Sequence, residues 1–341
     1  MIFFRKMLFP FAILYGWITQ LRNFLFDKGF LKSYSFDLPI IAVGNLSVGG
    51  TGKTPQIEYL IRLLSQHYSI ATLSRGYKRQ TTGYILADAS ATAGSLGDEP
   101  FQFYHKFPNI QVAVDEDRKN GIEQLLKAQK PDVILLDDAF QHRKVKAGLY
   151  ILLTAYDDLF CDDYILPAGN LRESRSGAKR ADMIIVTKCP KNISVIVQQE
   201  IISRIGTDKP IYFSAIQYDN NVYSESISIP VTEIKITDKL LLAGIANPLS
   251  FYKYLKNQND IFKTFPDHHH FSEQEILNLK KQASNKLIVT TEKDYVRLKE
   301  RFTVEQLFYL PIKTSFVSNA DNFNKTILNY VGKSTANRYL Y

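Results

Sequence analysis

The sequence predicts an α/β protein of two lobes, in which a parallel sheet covered by helices is followed by a smaller α/β lobe. Short apolar runs alternate with helical stretches over residues 33–218, an order typical of parallel sheets with helices on both faces. Residues 219–238 are polar with short β-branched runs, which indicates a ribbon or linker. Strand-like and helix-like segments resume over residues 239–341 and predict the second lobe.

Composition excludes several classes of protein. Of the 341 residues, 45% are hydrophobic, which is enough for a core and excludes a disordered chain. The two cysteines, Cys161 and Cys189, lie too far apart for a thiolate zinc motif and are too few for a disulfide scaffold. The net charge of +8 favours anionic partners such as phosphates, nucleic acid or an acidic membrane surface.

The first predicted element is a helix within residues 1–32. Fifteen uncharged residues lie between Lys6 and Arg22; as a helix they span about 22 Å, less than the bilayer core of about 30 Å. Flanking cations and an aromatic-rich apolar face suit a helix that lies in a membrane interface. A core helix packed on the domain behind it is the alternative. The apolar positions at helical spacing are Phe11, Leu14, Ile18, Leu21 and Leu25.

Short apolar segments predict the strands of both lobes. The first covers residues 39–43, ends at Gly44-Asn45, and is followed by a helix over about residues 54–66. Helical stretches such as residues 118–128 separate several of the later segments. The other predicted strands are 69–73, 112–114, 132–136, 150–153 and 183–186 in the main sheet, and 240–243, 261–265, 286–290 and 307–310 in the second lobe.

The turn after the first strand has the composition of a phosphate-binding loop. Glycines allow the tight turn that aims backbone N–H groups at phosphate oxygens, and the helix N-terminus favours an anion. Ser47 stands where the P-loop pattern has its first glycine. Lys53 is expected to reach the β- and γ-phosphates, and the Thr54 hydroxyl to bind Mg²⁺. The loop consists of Ser47, Val48, Gly49, Gly50, Thr51, Gly52, Lys53 and Thr54.

An acidic pair completes the predicted nucleotide site. Asp137 and Asp138 follow the apolar run 133–136, and the carboxyl ends of parallel strands converge on one crevice. One of the two carboxylates is expected to hold Mg²⁺, directly or through water; a surface turn is the alternative. Residues 186–190 begin like the guanine-reading motif of GTP-binding proteins, but Pro190 stands where that motif has aspartate. This departure argues against GTP.

Two further segments carry groups suited to proton transfer. Asp98 lies in a loop before Pro100, where it serves either as a helix cap or as a base for an acceptor hydroxyl. Asp267 precedes His268, His269 and His270, which are half of the six histidines. Adjacent side chains diverge, so a carboxylate-oriented imidazole suits this segment better than a zinc site; a structural loop is the other alternative.

Basic loops supply candidate contacts for an anionic acceptor. The loop 167–173 ends at Arg172, which can grip a phosphate, and Glu173. Arg75 and Tyr77 lie in a basic loop after the second strand, and Arg118 follows three acidic residues. These two segments hold an anionic acceptor or are solvated surface; the residues alone leave both open.

Taken in order, the motifs resemble one known family. They are VGNLSVGGTGKTP, SRGY, LGDEP, DVILLDDAFQHR, LPAGNLRES, the DHH run and TTEKD, preceded by the basic and aromatic N-terminal helix. Together they resemble the tetraacyldisaccharide 4'-kinases, the lipid A kinases of Gram-negative bacteria. The match runs to about residue 298, and the last 40 or so residues carry no matching motif.

The resemblance implies a P-loop NTPase-like fold with a second lobe, and a monotopic enzyme at the cytoplasmic face of the inner membrane. It implies ATP and Mg²⁺ as cofactors. The acceptor it implies is a lipid A precursor, a tetraacylated glucosamine disaccharide 1-phosphate that is phosphorylated at its 4'-hydroxyl. The family's interfacial helix would suit an acceptor whose acyl chains stay in the bilayer.

The resemblance also assigns roles to single residues. It implies that Asp98 is the catalytic aspartate and His268 its partner, with His269 as the alternative. The third histidine, His270, departs from the family's pattern. The family's acidic metal pair falls on Asp137 and Asp138. Its acceptor contacts fall on Tyr77 and Arg118.

The predicted function is therefore ATP-dependent phosphoryl transfer to a lipid-linked sugar hydroxyl. The alternative is a regulatory P-loop NTPase that changes conformation to bind a protein. Such a switch needs a group that positions water, whereas Asp98 suits an acceptor hydroxyl. Nucleic acid is not an expected partner, because half of the basic excess lies beside Phe, Leu and Trp17 in residues 1–32.

Overall fold

A computed structural model of the protein describes residues 7–267 and 269–338. The strands are β1 (Ile40–Asn45), β2 (Ile70–Ser74), β3 (Ile85–Leu86), β4 (Gln111–Val114), β5 (Val133–Asp137), β6 (Leu149–Ala155), β7 (Met183–Thr187), β8 (Ile211–Tyr218), β9 (Asn221–Tyr223), β10 (Ser228–Pro230), β11 (Lys239–Ala243), β12 (Ile261–Thr264), β13 (Leu287–Thr291), β14 (Leu307–Leu310) and β15 (Ile312–Phe316). The helices are α1 (Phe9–Asp27), α2 (Lys53–Leu64), α3 (Ala93–Leu96), α4 (Asp98–Lys106), α5 (Arg118–Ala128), α6 (Val195–Ile205), α7 (Val231–Ile236), α8 (Leu249–Leu255), α9 (Glu273–Ala283), α10 (Glu292–Leu298) and α11 (Ala320–Arg338).

The first lobe is built on a nine-stranded sheet of order β15-β8-β7-β6-β1-β5-β2-β4-β3. All strands from β8 to β4 in this order pair in parallel, and the edge strands β15 and β3 are antiparallel. The register places Val43 of β1 opposite Asp137 of β5. The phosphate loop after β1 and the acidic pair after β5 therefore leave the same edge of the sheet.

Helices cover both faces of this sheet, which confirms the predicted fold class. On one face, α2 and α11 bury apolar side chains against the central strands, among them Leu60 and Phe323. On the other face, α5 buries Ile122 and Leu125. The central strands are buried along their length, which explains why they are near-continuous apolar runs in the sequence.

The second lobe has a six-stranded sheet of order β10-β9-β14-β13-β11-β12. Its strand pairing divides the chain differently from the predicted boundaries. The segment predicted as a ribbon or linker, 219–238, forms an antiparallel ribbon of β9 and β10, and this ribbon belongs to the sheet of the second lobe. The end of the predicted second lobe returns to the first, because β15 pairs with β8 and α11 packs against α2. The chain thus crosses between the lobes twice, near Asp219 and near Pro311.

Helix α1 packs on the first lobe along one narrow face. Ala12 and Gly16 are buried there, and the Tyr15 hydroxyl donates a hydrogen bond to the Arg172 carbonyl oxygen, 3.0 Å away. The opposite face is exposed and strongly apolar. None of the described helices, α1 included, combines the length and hydropathy needed to cross a membrane. The exposed apolar residues of this face are Phe11, Ile13, Leu14, Trp17, Ile18, Leu21 and Phe24.

Candidate active site

The phosphate loop joins β1 to α2 with the backbone geometry of an anion-binding turn. Gly49 and Gly52 have φ values of 108° and 85°, a region that glycine adopts without strain. Gly52 is the N-cap of α2, and no side chain caps this end of the helix. The first N–H groups of α2 are therefore left for a bound anion. The backbone of Thr51 is anchored to the end of β7, because its carbonyl oxygen accepts a hydrogen bond from the Thr187 hydroxyl at 2.7 Å.

Two cations converge on one carboxylate beside this loop. The Lys53 ammonium lies 3.3 Å from Asn45 Oδ1 and 3.7 Å from Asp138 Oδ1. The Arg172 guanidinium donates two hydrogen bonds to Asp138, at 3.0 and 3.1 Å, and another to Asn45. Burial raises the pKa of Asp138, but Lys53 and Arg172 outweigh this effect and hold it below its usual value. The cluster places two positive charges beside the N-terminus of α2.

Asp137 has the properties of a cation ligand. Its side chain is buried, and no described group hydrogen-bonds to its Oδ1 atom. Burial, with the neighbouring charge of Asp138, raises the pKa of Asp137 to about 7. An unpartnered buried carboxylate oxygen is costly unless a cation or a donor occupies its site. Together with Thr54 in the first turn of α2, Asp137 and Asp138 fit an oxygen-liganded Mg²⁺.

Arg118 lies beneath this acidic pair. Its guanidinium donates to the carbonyl oxygens of Asp137 and Asp138, at 2.6 and 3.1 Å. The residue is only 2% exposed, and burial lowers its pKa. This position differs from the predicted acceptor contact, because a buried guanidinium bound to two backbone carbonyls presents almost no surface to a ligand. Arg118 instead fixes the strand end, where Asp138 adopts a φ of 46°.

Asp98 is the first residue of α4 and is held from the second lobe. Gly97 is the N-cap of this helix, and no side chain caps it, so the capping alternative does not describe Asp98. The Arg297 guanidinium of α10 donates through two nitrogens to both carboxylate oxygens, with Nε 3.2 Å from Oδ1. Lys293 of the same helix lies 3.6 Å from Glu99. The proposed base is thus positioned across the boundary between the lobes.

The histidine segment follows β12. His268 lies outside the described residues. His269 Nε2 is 3.0 Å from Glu275 Oε1, and its ring stacks on Phe265 with centroids 4.8 Å apart. These contacts engage the His269 side chain within the second lobe. The preceding Asp267 accepts from Lys293 at 3.0 Å, which ties the segment to α10.

The basic loop that carries Arg75 and Tyr77 borders the Asp98 turn. Both residues are exposed. A Cβ atom at Gly97 would lie 3.1 Å from the Tyr77 carbonyl oxygen, so the loop and the turn are in close contact. The loop that carries these two exposed side chains therefore passes beside the turn before Asp98.

Glu173 is buried and its oxygens are engaged by protein donors. They accept from Asn23 at 2.8 Å, Gln141 at 3.0 Å and Arg180 at 2.7 Å. Asn23 belongs to α1, and Gln141 also donates to the Asn45 carbonyl oxygen at 2.9 Å. Glu173 therefore connects the exposed helix to the end of β1, just before the phosphate loop. This environment differs from the predicted direct contact with substrate.

Sequence reasoning missed three residues that the structure places in the site. Asn45 ends β1 and shares its side-chain oxygen between Lys53 and Arg172. Lys188, after β7, donates to the Gly50 carbonyl oxygen. The sequence position of both residues could have identified them, since each lies at the carboxyl end of a central parallel strand. Arg297 had only the weaker signal of lying three residues after the TTEKD motif.

Comparisons with known proteins identify similar sequences along nearly the whole chain. A sequence profile of the LpxK family, tetraacyldisaccharide-1-P 4'-kinase, matches residues 4–332. A tetraacyldisaccharide 4'-kinase of Flavobacterium psychrophilum is 63% identical over 98% of this chain and 99% of its own length. One of Bacteroides thetaiotaomicron is 46% identical over 97% of this chain and 94% of its own length.

A solved structure shares the fold over nearly the whole chain. It is the "apo" form of LpxK from Aquifex aeolicus in complex with ATP, with a TM-score of 0.78 and 32% sequence identity. The match covers 96% of this chain and 99% of that one. With profile, relatives and fold in agreement, the chain belongs to the LpxK family of tetraacyldisaccharide 4'-kinases.

Proposed function

We propose that the protein transfers the γ-phosphate of ATP to the 4'-hydroxyl of a tetraacylated glucosamine disaccharide 1-phosphate. The observation that carries this proposal is the cluster at the phosphate loop, where Lys53 and Arg172 flank Asp138. The named activity of the relatives supplies the acceptor, and the ATP complex of the Aquifex protein supports the nucleotide. Membership of the LpxK family favours a kinase over a regulatory NTPase.

The reaction forms a bond between the acceptor oxygen and the γ-phosphorus and breaks the bond from that phosphorus to the β-γ bridging oxygen, which leaves on ADP. Lys53 and the N–H groups of the loop hold the β- and γ-phosphates. Thr54, Asp137 and Asp138 would hold Mg²⁺, which would supply charge neutralisation. Such positioning and charge neutralisation are the main requirements of phosphoryl transfer.

Asp98 takes the proton that the acceptor hydroxyl loses during attack. Arg297 fixes the carboxylate through both oxygens, and we assign His268 as its partner from the family pattern. Arg75 and Tyr77, exposed on the loop that borders the Asp98 turn, bind the sugar phosphate of the acceptor. A positioned base contributes about 10²–10⁴-fold to the rate.

The exposed face of α1 binds the membrane in this proposal. Its apolar side chains, such as Trp17 and Leu21, enter the interface, and Arg22 and Lys28 flank them. The helix contacts the backbone of Arg172 through Tyr15 and the side chain of Glu173 through Asn23, so these contacts connect the membrane surface to the phosphate site. The acceptor's acyl chains remain in the bilayer while its sugar reaches Asp98. The location is the cytoplasmic face of the inner membrane.

The test separates binding from transfer. Asp98→Ala should lower kcat by about 10²–10⁴-fold with little change in the Kd for ATP. Lys53→Ala should abolish transfer and weaken ATP binding, because it removes charge at the phosphates. Asp88→Ala is the matched control, since Asp88 is an exposed carboxylate hydrogen-bonded to Ser90. Wild-type turnover in Asp98→Ala would refute the assignment of the base.

A further inference from the structure

A charged cluster outside the nucleotide site joins three helices. Glu58 lies in the second turn of α2, Lys106 is the last residue of α4, and Glu292 is the first residue of α10. The Lys106 ammonium lies 2.9 Å from Glu58 Oε2 and 2.8 Å from Glu292 Oε2. One cation thus bridges carboxylates from both lobes.

The cluster is largely shielded from water and balanced in charge. The Glu58 side chain is 1% exposed and also accepts from Gln102 at 2.9 Å and from Arg62 at 2.8 Å. Two carboxylates therefore face two cations, Lys106 and Arg62. Burial and the charge of Glu58 raise the pKa of Glu292 to about 7, against the opposing effect of Lys106. Removing Lys106 would leave two buried carboxylates with a single cation.

Each of the three helices also carries a group at the proposed reaction centre. Helix α2 begins at Lys53, α4 begins at Asp98, and α10 carries Arg297, which holds the Asp98 carboxylate. In α4, Asp98 and Lys106 are separated by about 12 Å along the helix axis at 1.5 Å per residue. Lys106 therefore fixes the far end of a short helix whose near end bears the base.

We propose that Lys106 is a positioning residue for phosphoryl transfer. By bridging Glu58 and Glu292 it sets the orientation of α4 relative to α2 and α10, and so the place of the Asp98 carboxylate relative to the phosphates on Lys53. This inference rests on the proposed role of Asp98 as the base. A displacement of about 1 Å at a reacting group costs on the order of 10²-fold in rate.

The experiment compares Lys106→Met with Lys106→Arg in the full-length protein. We expect Lys106→Met to lower kcat about 10- to 100-fold with the Kd for ATP unchanged, and Lys106→Arg to recover most of the loss by restoring the charge. In an Asp98→Ala background, Lys106→Met should add little, since the two changes act on one step. Lys313→Met is the control, because Lys313 pairs with Asp219 at 2.6 Å near the same crossing between lobes.

The outcomes separate this inference from the proposed function. If Lys106→Met lowers kcat by the same factor in the wild-type and Asp98→Ala backgrounds, its effect is merely structural. That result would overturn the inference about Lys106 but not the proposed function. Wild-type turnover in Asp98→Ala would overturn both assignments. If the Lys106→Met variant does not fold, the double variant Lys106→Met with Glu292→Gln replaces it. In this double variant Glu58 is paired with Arg62 alone. This charge-balanced variant should fold and show the same loss of kcat; wild-type kcat in it would overturn the inference.

Discussion

Replacing Arg297 by alanine removes the group that holds the proposed base. Its guanidinium donates to both oxygens of Asp98, and its other terminal nitrogen lies 3.4 Å from Asp294 Oδ1. Burial lowers the pKa of Arg297, but the hydrogen bonds and charge of Asp98 outweigh this effect and raise it above its usual value. The pair is therefore favourable in its charged form, and the alanine variant loses that interaction.

The free energy lost on removing Arg297 can be estimated from the geometry and exposure of its ion pair with Asp98. Removing one partner of a fully buried ion pair costs about 3–5 kcal/mol. Here the side chains of Arg297 and Asp98 are 8% and 17% exposed, so water partly compensates in the variant. We therefore expect the variant to lose about 2–3 kcal/mol of interaction free energy. If all of this raises the barrier of the transfer step, kcat falls by about 30- to 150-fold.

The assay is the pH dependence of transfer at saturating ATP. Without Arg297, the acidic limb of the kcat/KM profile should move to higher pH, because a nearby cation favours an ionised base. Added guanidinium should restore part of the rate. Arg301→Ala is the matched control, since Arg301 forms a more exposed pair with Glu273. An Arg297→Ala enzyme with wild-type kcat and an unshifted profile would refute this reasoning.

Two further predictions concern other parts of the molecule. Trp17→Ser with Leu21→Ser should weaken binding to anionic vesicles but leave the Kd for ATP unchanged, because these side chains are exposed on α1; equal vesicle binding would contradict the interfacial role. The pKa of Glu292 is raised to about 7, so the folded protein binds this proton more tightly than the unfolded chain does, and the wild type loses stability as pH rises through that range. Glu292→Gln should therefore gain in Tm relative to the wild type between pH 5 and pH 8, measured by thermal unfolding; a constant difference would contradict the shift.

The parts of the fold that were predicted correctly depend on local sequence. The central strands are buried on both faces and are therefore short apolar runs, and the phosphate loop follows from glycines beside Lys53. Strands β8 and β15 were missed. Strand β15 pairs with β8 after an excursion of the chain through the whole second lobe. No local pattern in residues 312–316 distinguishes such a return from a strand of the nearer sheet.

The same limit applies to the site. The sequence predicted Lys53, Asp98 and Asp138 as site residues because each follows a turn or strand with a recognisable motif. It did not predict that Arg297 holds Asp98, since 199 residues separate them and an arginine on a short helix has many surface alternatives. Arg118 was expected at the acceptor, but its guanidinium is buried against two backbone carbonyls, an environment that spacing alone does not reveal.

We propose that this chain moves the γ-phosphate of ATP onto a sugar hydroxyl. The most direct measurement follows labelled γ-phosphate from ATP in the presence of a tetraacylated glucosamine disaccharide 1-phosphate, with the product mapped by mass spectrometry. We predict one added phosphate at the 4'-position, little ATP hydrolysis without the acceptor, and loss of transfer in Lys53→Ala. Hydrolysis that is independent of the acceptor, with no label on the disaccharide, would contradict it.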